Sequence, residues 1–147
     1  MLLTQRHYMD KPVVEKSIEI NASIEKVWRV FTDPVLTRHM GGEYLSDWKV
    51  GSSFHWKGKD GNLYTNGKIL QIQPKKILKH NLFDLNDKEK LLSVITYEFS
   101  ENAEKTVLTS KEVLNYELTK EQLQDASDGW DFALKAVKDT AESIETK

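Results

Sequence analysis

The chain contains no cysteine. Disulfides, thiol nucleophiles and thiolate metal ligands are therefore excluded, and the four histidines are scattered, so no metal site is expected. Nothing in the pattern calls for a cofactor. Proline (3) and glycine (7) are sparse and form no linker, and there is no repeat or low-complexity tract. No apolar run approaches membrane-spanning length. Met1 to Pro12 carries Arg6, His7, Asp10 and Lys11, with no apolar core ahead of a small-residue cleavage site. A cytoplasmic location without membrane insertion is the expectation. An excess of one charge is missing too: 21 basic against 23 acidic residues leaves −2, which gives no field to attract nucleic acid or an anionic surface.

With 39% hydrophobic residues the chain is too apolar for disorder, and 147 residues suffice for one cored domain over 1–147. Residues 1–11 are polar and read as a loosely ordered arm. Val14, Lys16, Ile18 and Ile20 alternate with Glu15, Ser17 and Glu19, a strand with one buried face. Ser23 can cap a helix carrying Ile24, Val27, Trp28 and Phe31 at helical spacing. Asp33-Pro34 opens a second, short helix that ends at Gly41-Gly42. Strands follow over Tyr44–Trp48, around Phe54 and Trp56, over Leu63–Ile72 and Ile77–Phe83, through Ile95, Tyr97 and Phe99, and over Thr106–Leu114. Asp60-Gly61-Asn62 is a turn and Asp84–Lys90 a charged loop. Thr119 and Gln122 form a capping-box signal. Behind it Leu123, Ala126, Trp130, Leu134, Val137, Ala141 and Ile144 draw one apolar stripe along a helix of roughly seven turns. The expected class is α+β: a curved antiparallel sheet of about seven strands closed by one long C-terminal helix.

These motifs, in this order, resemble the START-like helix-grip superfamily (SRPBCC). Within it they are most similar to the C-terminal domain of the heat-shock protein 90 ATPase activator and its stand-alone bacterial relatives. The matching residues are Ile18-Glu19-Ile20, Ser23, Val27-Trp28 and Phe31-Thr32-Asp33-Pro34. Val50-Gly51, Asp60-Gly61, Gly67-Lys68-Ile69, Pro74, Thr106-Val107-Leu108-Thr109 and Gly129-Trp130 continue the likeness, which covers about residues 13–144. After Phe-Thr-Asp-Pro the family usually carries a tryptophan, where this chain has Met40-Gly41-Gly42. The resemblance implies a pocket between the sheet and the closing helix. Proteins of this type include lipid and hormone carriers, aromatase/cyclase enzymes and chaperone activators.

Alternation places Phe54, Trp56, Ile69, Ile95, Tyr97, Phe99 and Leu108 inward, facing Trp130 and Leu134, so these line either a ligand chamber or a plain core. Glu112 follows Leu108 and Ser110 at period two and shares their face. It is the one weak catalytic candidate, against a rim position bonded to lysine or water. His55 should point outward. His80, between Lys79 and Asn81, has no readable facing, and Glu43 and Asp47 complete the polar candidates. Gly129 interrupts the last helix, where close approach to a strand or room for a ligand would explain it. No Ser/His/Asp set, phosphate loop or calcium loop is present.

Three readings follow. The first is binding of a hydrophobic or aromatic small molecule between sheet and helix. The second is an interaction module for a heat-shock protein 90 type chaperone. The third is a cyclase- or hydrolase-type enzyme acting on a polyketide-like substrate, built on Glu112 with His80 or Tyr97.

Overall fold

The computed structural model describes residues 11–144. The arm expected over residues 1–11 lies, but for Lys11, outside them. The order is β1 (Val13–Ile20), α1 (Ile24–Thr32), α2 (Pro34–Thr37) with a 3₁₀ turn, β2 (Gly42–Ser46), β3 (Ser53–Gly58), β4 (Gly67–Gln73), β5 (Ile77–Phe83), β6 (Leu91–Asn102), β7 (Lys105–Leu114) and α3 (Lys120–Glu142). The seven strands form one antiparallel sheet in the order β1-β7-β6-β5-β4-β3-β2. The helix-grip α+β architecture expected from the sequence is the one observed.

Local chemistry starts each helix. The Ser23 hydroxyl accepts from the Lys26 amide, and the Asp33 carboxylate accepts from the Val35 amide with Pro34 at the first helical position. Both halves of the Thr119/Gln122 capping box are made. Two strand starts and ends differ from the alternation. The Ser46 hydroxyl accepts from the Trp48 amide, and Trp48 takes a φ of 58°, so β2 stops at Ser46. Leu63 makes only an isolated bridge to Lys57, and the Thr65 hydroxyl accepts from the Trp56 amide in place of a ladder partner. The chain therefore enters the sheet only at Gly67. A Cβ there would stand 2.1 Å from the Asn81 carbonyl oxygen, so glycine is required.

α1 and α3 both pack on the concave face. Val27, Val30 and Phe31 from α1 meet Trp130, Leu134, Val137 and Ala141 from α3 over Phe54, Ile69, Leu78, Ile95, Tyr97, Phe99 and Leu108, all buried. Each such large side chain contributes about 1.5–3 kcal/mol of transfer free energy. The apolar stripe of α3 does not stay on the sheet for its whole length. Leu123 is exposed and Ala126 only half-buried. On β1 the inward register position facing this end belongs to Lys16, which pairs with Asp131 at 3.2 Å. A groove lined by Val14, Lys16, Leu123 and Gln124 remains open between the first turns of α3 and β1.

Gly129 does not have the reason expected of it. It is exposed, and a Cβ built on it meets nothing within 4 Å, neither strand nor cleft wall. Only the backbone-entropy cost remains, so Gly129→Ala should stabilise the protein by about 0.5–1 kcal/mol. A urea titration should show the midpoint rising at unchanged slope; a fall would mean the glycine has a role the fold does not reveal.

Candidate functional site

The helices and sheet part at a second place. Where α3 passes the β2–β3 end of the sheet, a cleft of about 230 Å³ stays open. Phe31 of α1 and Tyr97 of β6 line its inner end, Tyr44 of β2 and Trp56 of β3 one side, and Met40 of the 3₁₀ turn another. Trp130, Leu134 and Val137 of α3 complete it, with Phe132 at its mouth. Phe132 is 78% exposed, an aromatic ring standing in water beside an apolar opening. Among the described residues, no charged side chain lines the cleft.

Register explains the arrangement. Tyr44 pairs with Trp56 across β2–β3, which puts both rings on the concave face. The Tyr44 ring stacks on Phe54 (4.9 Å) and Phe31 (5.9 Å) and meets Trp56 edge-on at 4.8 Å. Phe31 in turn meets Tyr97 edge-on at 4.9 Å, and Tyr97 meets Trp130 at 5.7 Å. Such contacts add about 0.5–1.5 kcal/mol each beyond area burial, so the walls are rigid. Burial pushes the Tyr44 phenol up to about 12 and raises Tyr97 well above the ordinary tyrosine value. Both are neutral hydroxyls at physiological pH, and each is near enough to influence the other.

Of the ten residues singled out from the sequence, Trp56, Tyr97, Trp130 and Leu134 line the cleft. Phe54, Ile69, Ile95, Phe99 and Leu108 are buried and inward as expected but belong to the core behind it. Glu112 shares the inward face, where two side chains donate to it. One carboxylate oxygen accepts from Trp130 Nε1 at 2.9 Å, the other from Ser93 Oγ at 2.7 Å. Its visible duty is to hold Trp130 in the cleft wall. Glu43 pairs with Arg38 at 3.0 Å, His55 Nδ1 donates to the Thr65 carbonyl at 3.0 Å, and Asp47 is exposed. His80 faces inward, 3% exposed, its ring 4.4 Å from Phe54. Alternation could have yielded Tyr44 from the same pairing logic as Trp56. Met40, Phe132, Ala133 and Ala136 carry no strand pattern and needed the fold.

The Glu112 contacts lead to a paired expectation. Glu112→Ala orphans the Trp130 and Ser93 donors and should cost about 2–3 kcal/mol. Glu112→Gln keeps an acceptor for Trp130, while its amide donates to the Ser93 hydroxyl, which can turn to accept; the loss should stay under about 1 kcal/mol. Equal losses in chemical denaturation would show that the carboxylate charge, and not the pair of acceptors, is what matters.

Among the described residues no three histidine, aspartate or glutamate side chains stand close enough to hold a metal ion. Among the described residues, no helix is long and apolar enough to cross a membrane.

Comparison with known structures returns the same architecture. A Mesorhizobium loti protein matches with a TM-score of 0.76 at 20% identity, covering 92% of this chain and 100% of its own. A Cytophaga hutchinsonii protein matches at 0.72 with 27% identity, over 90% of this chain and 95% of its own. The Aha1 dimer of Colwellia psychrerythraea matches at 0.73 with 18% identity, over 92% and 99%. No curated protein sequence matches. The family model described as Activator of Hsp90 ATPase homolog 1-like protein matches residues 21–142, from the end of β1 to the last turn of α3, and the chain belongs to that family.

Proposed function

We propose that the protein binds a small, flat, hydrophobic molecule in the cleft beneath α3 and does not transform it. One observation carries this reading: an aromatic hollow, with no charged lining side chain among the described residues, stays open beside the packed core. Its volume, about 230 Å³, lies below the ~300–1,000 Å³ of drug-sized sites and above the about 150 Å³ that accepts benzene. One or two fused rings fit; a long acyl chain does not.

A thermal-shift panel of aromatic metabolites and lipids tests the reading. A ligand at 100 times its Kd stabilises by about 2.7 kcal/mol, which raises Tm by roughly 5–10 °C in a domain of this size. No shift from any compact aromatic would reject it. Phe132 gives a sharper probe, because so exposed a ring contributes little to folding. Phe132→Ala should change stability by less than about 0.5 kcal/mol yet weaken a seated aromatic ligand about 2- to 10-fold.

A second reading draws on the family match alone: contact with a heat-shock protein 90 type chaperone through an exposed surface. Adding the protein to the cognate chaperone should then raise its ATPase rate; an unchanged rate at saturation removes this alternative.

A further inference from the structure

Two of the residues lining the cleft, Tyr44 and Tyr97, carry phenol hydroxyls, and their proton count is informative. Burial keeps both phenols neutral. Two phenols carry two protons, and a bond between them can use at most one. At least one O–H is left over, since neither hydroxyl has a hydrogen-bond partner other than its neighbour among the described residues. The nearby carboxylate does not take it, since both oxygens of Glu112 are engaged by Trp130 and Ser93.

We infer that the cleft selects a neutral aromatic molecule bearing a carbonyl oxygen, such as a ring ketone, which accepts the spare phenol proton of the Tyr44–Tyr97 pair. This inference rests on the ligand-binding reading of the cleft. Three features favour that class. No lysine, arginine or histidine lines the walls, so an anion would be desolvated without compensation; no carboxylate lines them either, which leaves a cation equally unmatched. The aromatic walls take a planar body edge-on and face-on. The donor is held before the ligand arrives, because Tyr44 is stacked between Phe54 and Phe31 at 4.9 and 5.9 Å and cannot swing away. A fixed donor loses little entropy on binding. An occupant without an acceptor would strand that proton in an apolar hollow.

1-Indanone and indane, one two-ring frame with and without a carbonyl, separate the possibilities. Each is titrated against the wild-type protein and the Tyr44→Phe/Tyr97→Phe double variant, with binding followed by titration calorimetry. 1-Indanone should bind the variant about 3- to 10-fold more weakly than wild type, while indane binds both equally or the variant better. The infrared carbonyl band of 1-indanone on the wild-type protein should lie below its position in a hydrocarbon solvent, a readout independent of whether the variant folds. Parallel changes for both ligands, or a band at the hydrocarbon position, overturn the carbonyl preference and leave the cleft reading standing. If neither compound binds the wild type up to its solubility limit, both fall together.

Discussion

Replacing Phe31 with alanine is expected to cost about 3–5 kcal/mol of folding stability, the largest single-site loss the structure predicts. Phe31 is 1% exposed and sits where three layers meet. Its ring touches Tyr44 from β2 at 5.9 Å, Tyr97 at 4.9 Å and Phe99 at 5.4 Å from β6. Truncation removes the transfer free energy of the ring and three aromatic contacts, and it leaves a void that cannot collapse. The reason is directional. Tyr44 is held on its other face by Phe54, and Tyr97 is tied into the ladder between Leu78 and Ser110, so neither wall can move inward. Against a total of about 5–15 kcal/mol, such a loss makes the variant marginal. Urea denaturation should show the midpoint falling steeply at unchanged slope. A loss below about 1 kcal/mol would mean that α1 settles onto the sheet, and the picture of a rigid aromatic wall would be wrong. Phe31 also lines the cleft, so the variant offers a test of selectivity: ligands too bulky for the wild type should bind it, provided it is kept folded.

Much of the fold was legible because its signals are short-ranged. A hydroxyl or carboxylate in front of a helix meets amides two or three residues on, so Ser23, Asp33 and Thr119 could be read one at a time. Alternation placed Phe54, Tyr97, Leu108 and even Glu112 on the inner face, since a strand's facing is fixed by parity once one residue is assigned. Parity fails where polar neighbours hide it. His80 lies among Lys79 and Asn81, and only its pairing with Ile69 and Ile95 shows that it faces inward with Leu78. The cleft is less legible for a different reason. Its walls come from α1, the Met40 turn, β2, β3, β6 and α3, and no local pattern tells which inward side chains fall short of touching. Trp56 and Phe54 carry the same signal, yet one lines the opening and the other is core. The departure at Met40-Gly41-Gly42 was the single sequence hint to a wall, and Met40 does stand there. Lys16 shows the opposite error: counted as one more inward position, it is a half-buried charge that pairs with Asp131 of α3 beside an open groove.

Stability should also fall in mild acid, through His80. Burial depresses its pKa from 6.5 to about 4, because the imidazolium would lose its water shell among Phe54, Ile69, Ile95 and Tyr97. One nitrogen, Nδ1, is 3.0 Å from the Asn81 carbonyl oxygen, which partly opposes the shift. The unfolded chain takes up this proton near pH 6.5 and the folded protein only near pH 4. Between those values the unfolded state binds more protons, so stability drops as pH falls. The loss is complete by about pH 4, and it is absent above 6.5. At about 1.4 kcal/mol per pH unit the total approaches 3 kcal/mol. Carboxylates titrate over part of the same range, so the test is a difference. His80→Leu, which cannot take up a proton, should be less stable than wild type at pH 7.5, where it lacks the bond to Asn81. The gap between the two should then narrow steadily as pH falls from 6.5 towards 4, the carboxylate contributions cancelling. A gap constant with pH would mean the imidazole is solvated or already charged in the folded state. Since the ring backs Tyr97 from behind, at 6.1 Å between centroids, charging it should loosen the cleft before the sheet lets go. Affinity of the folded protein for an aromatic ligand should therefore hold at pH 6 and decline only as the pH nears about 4.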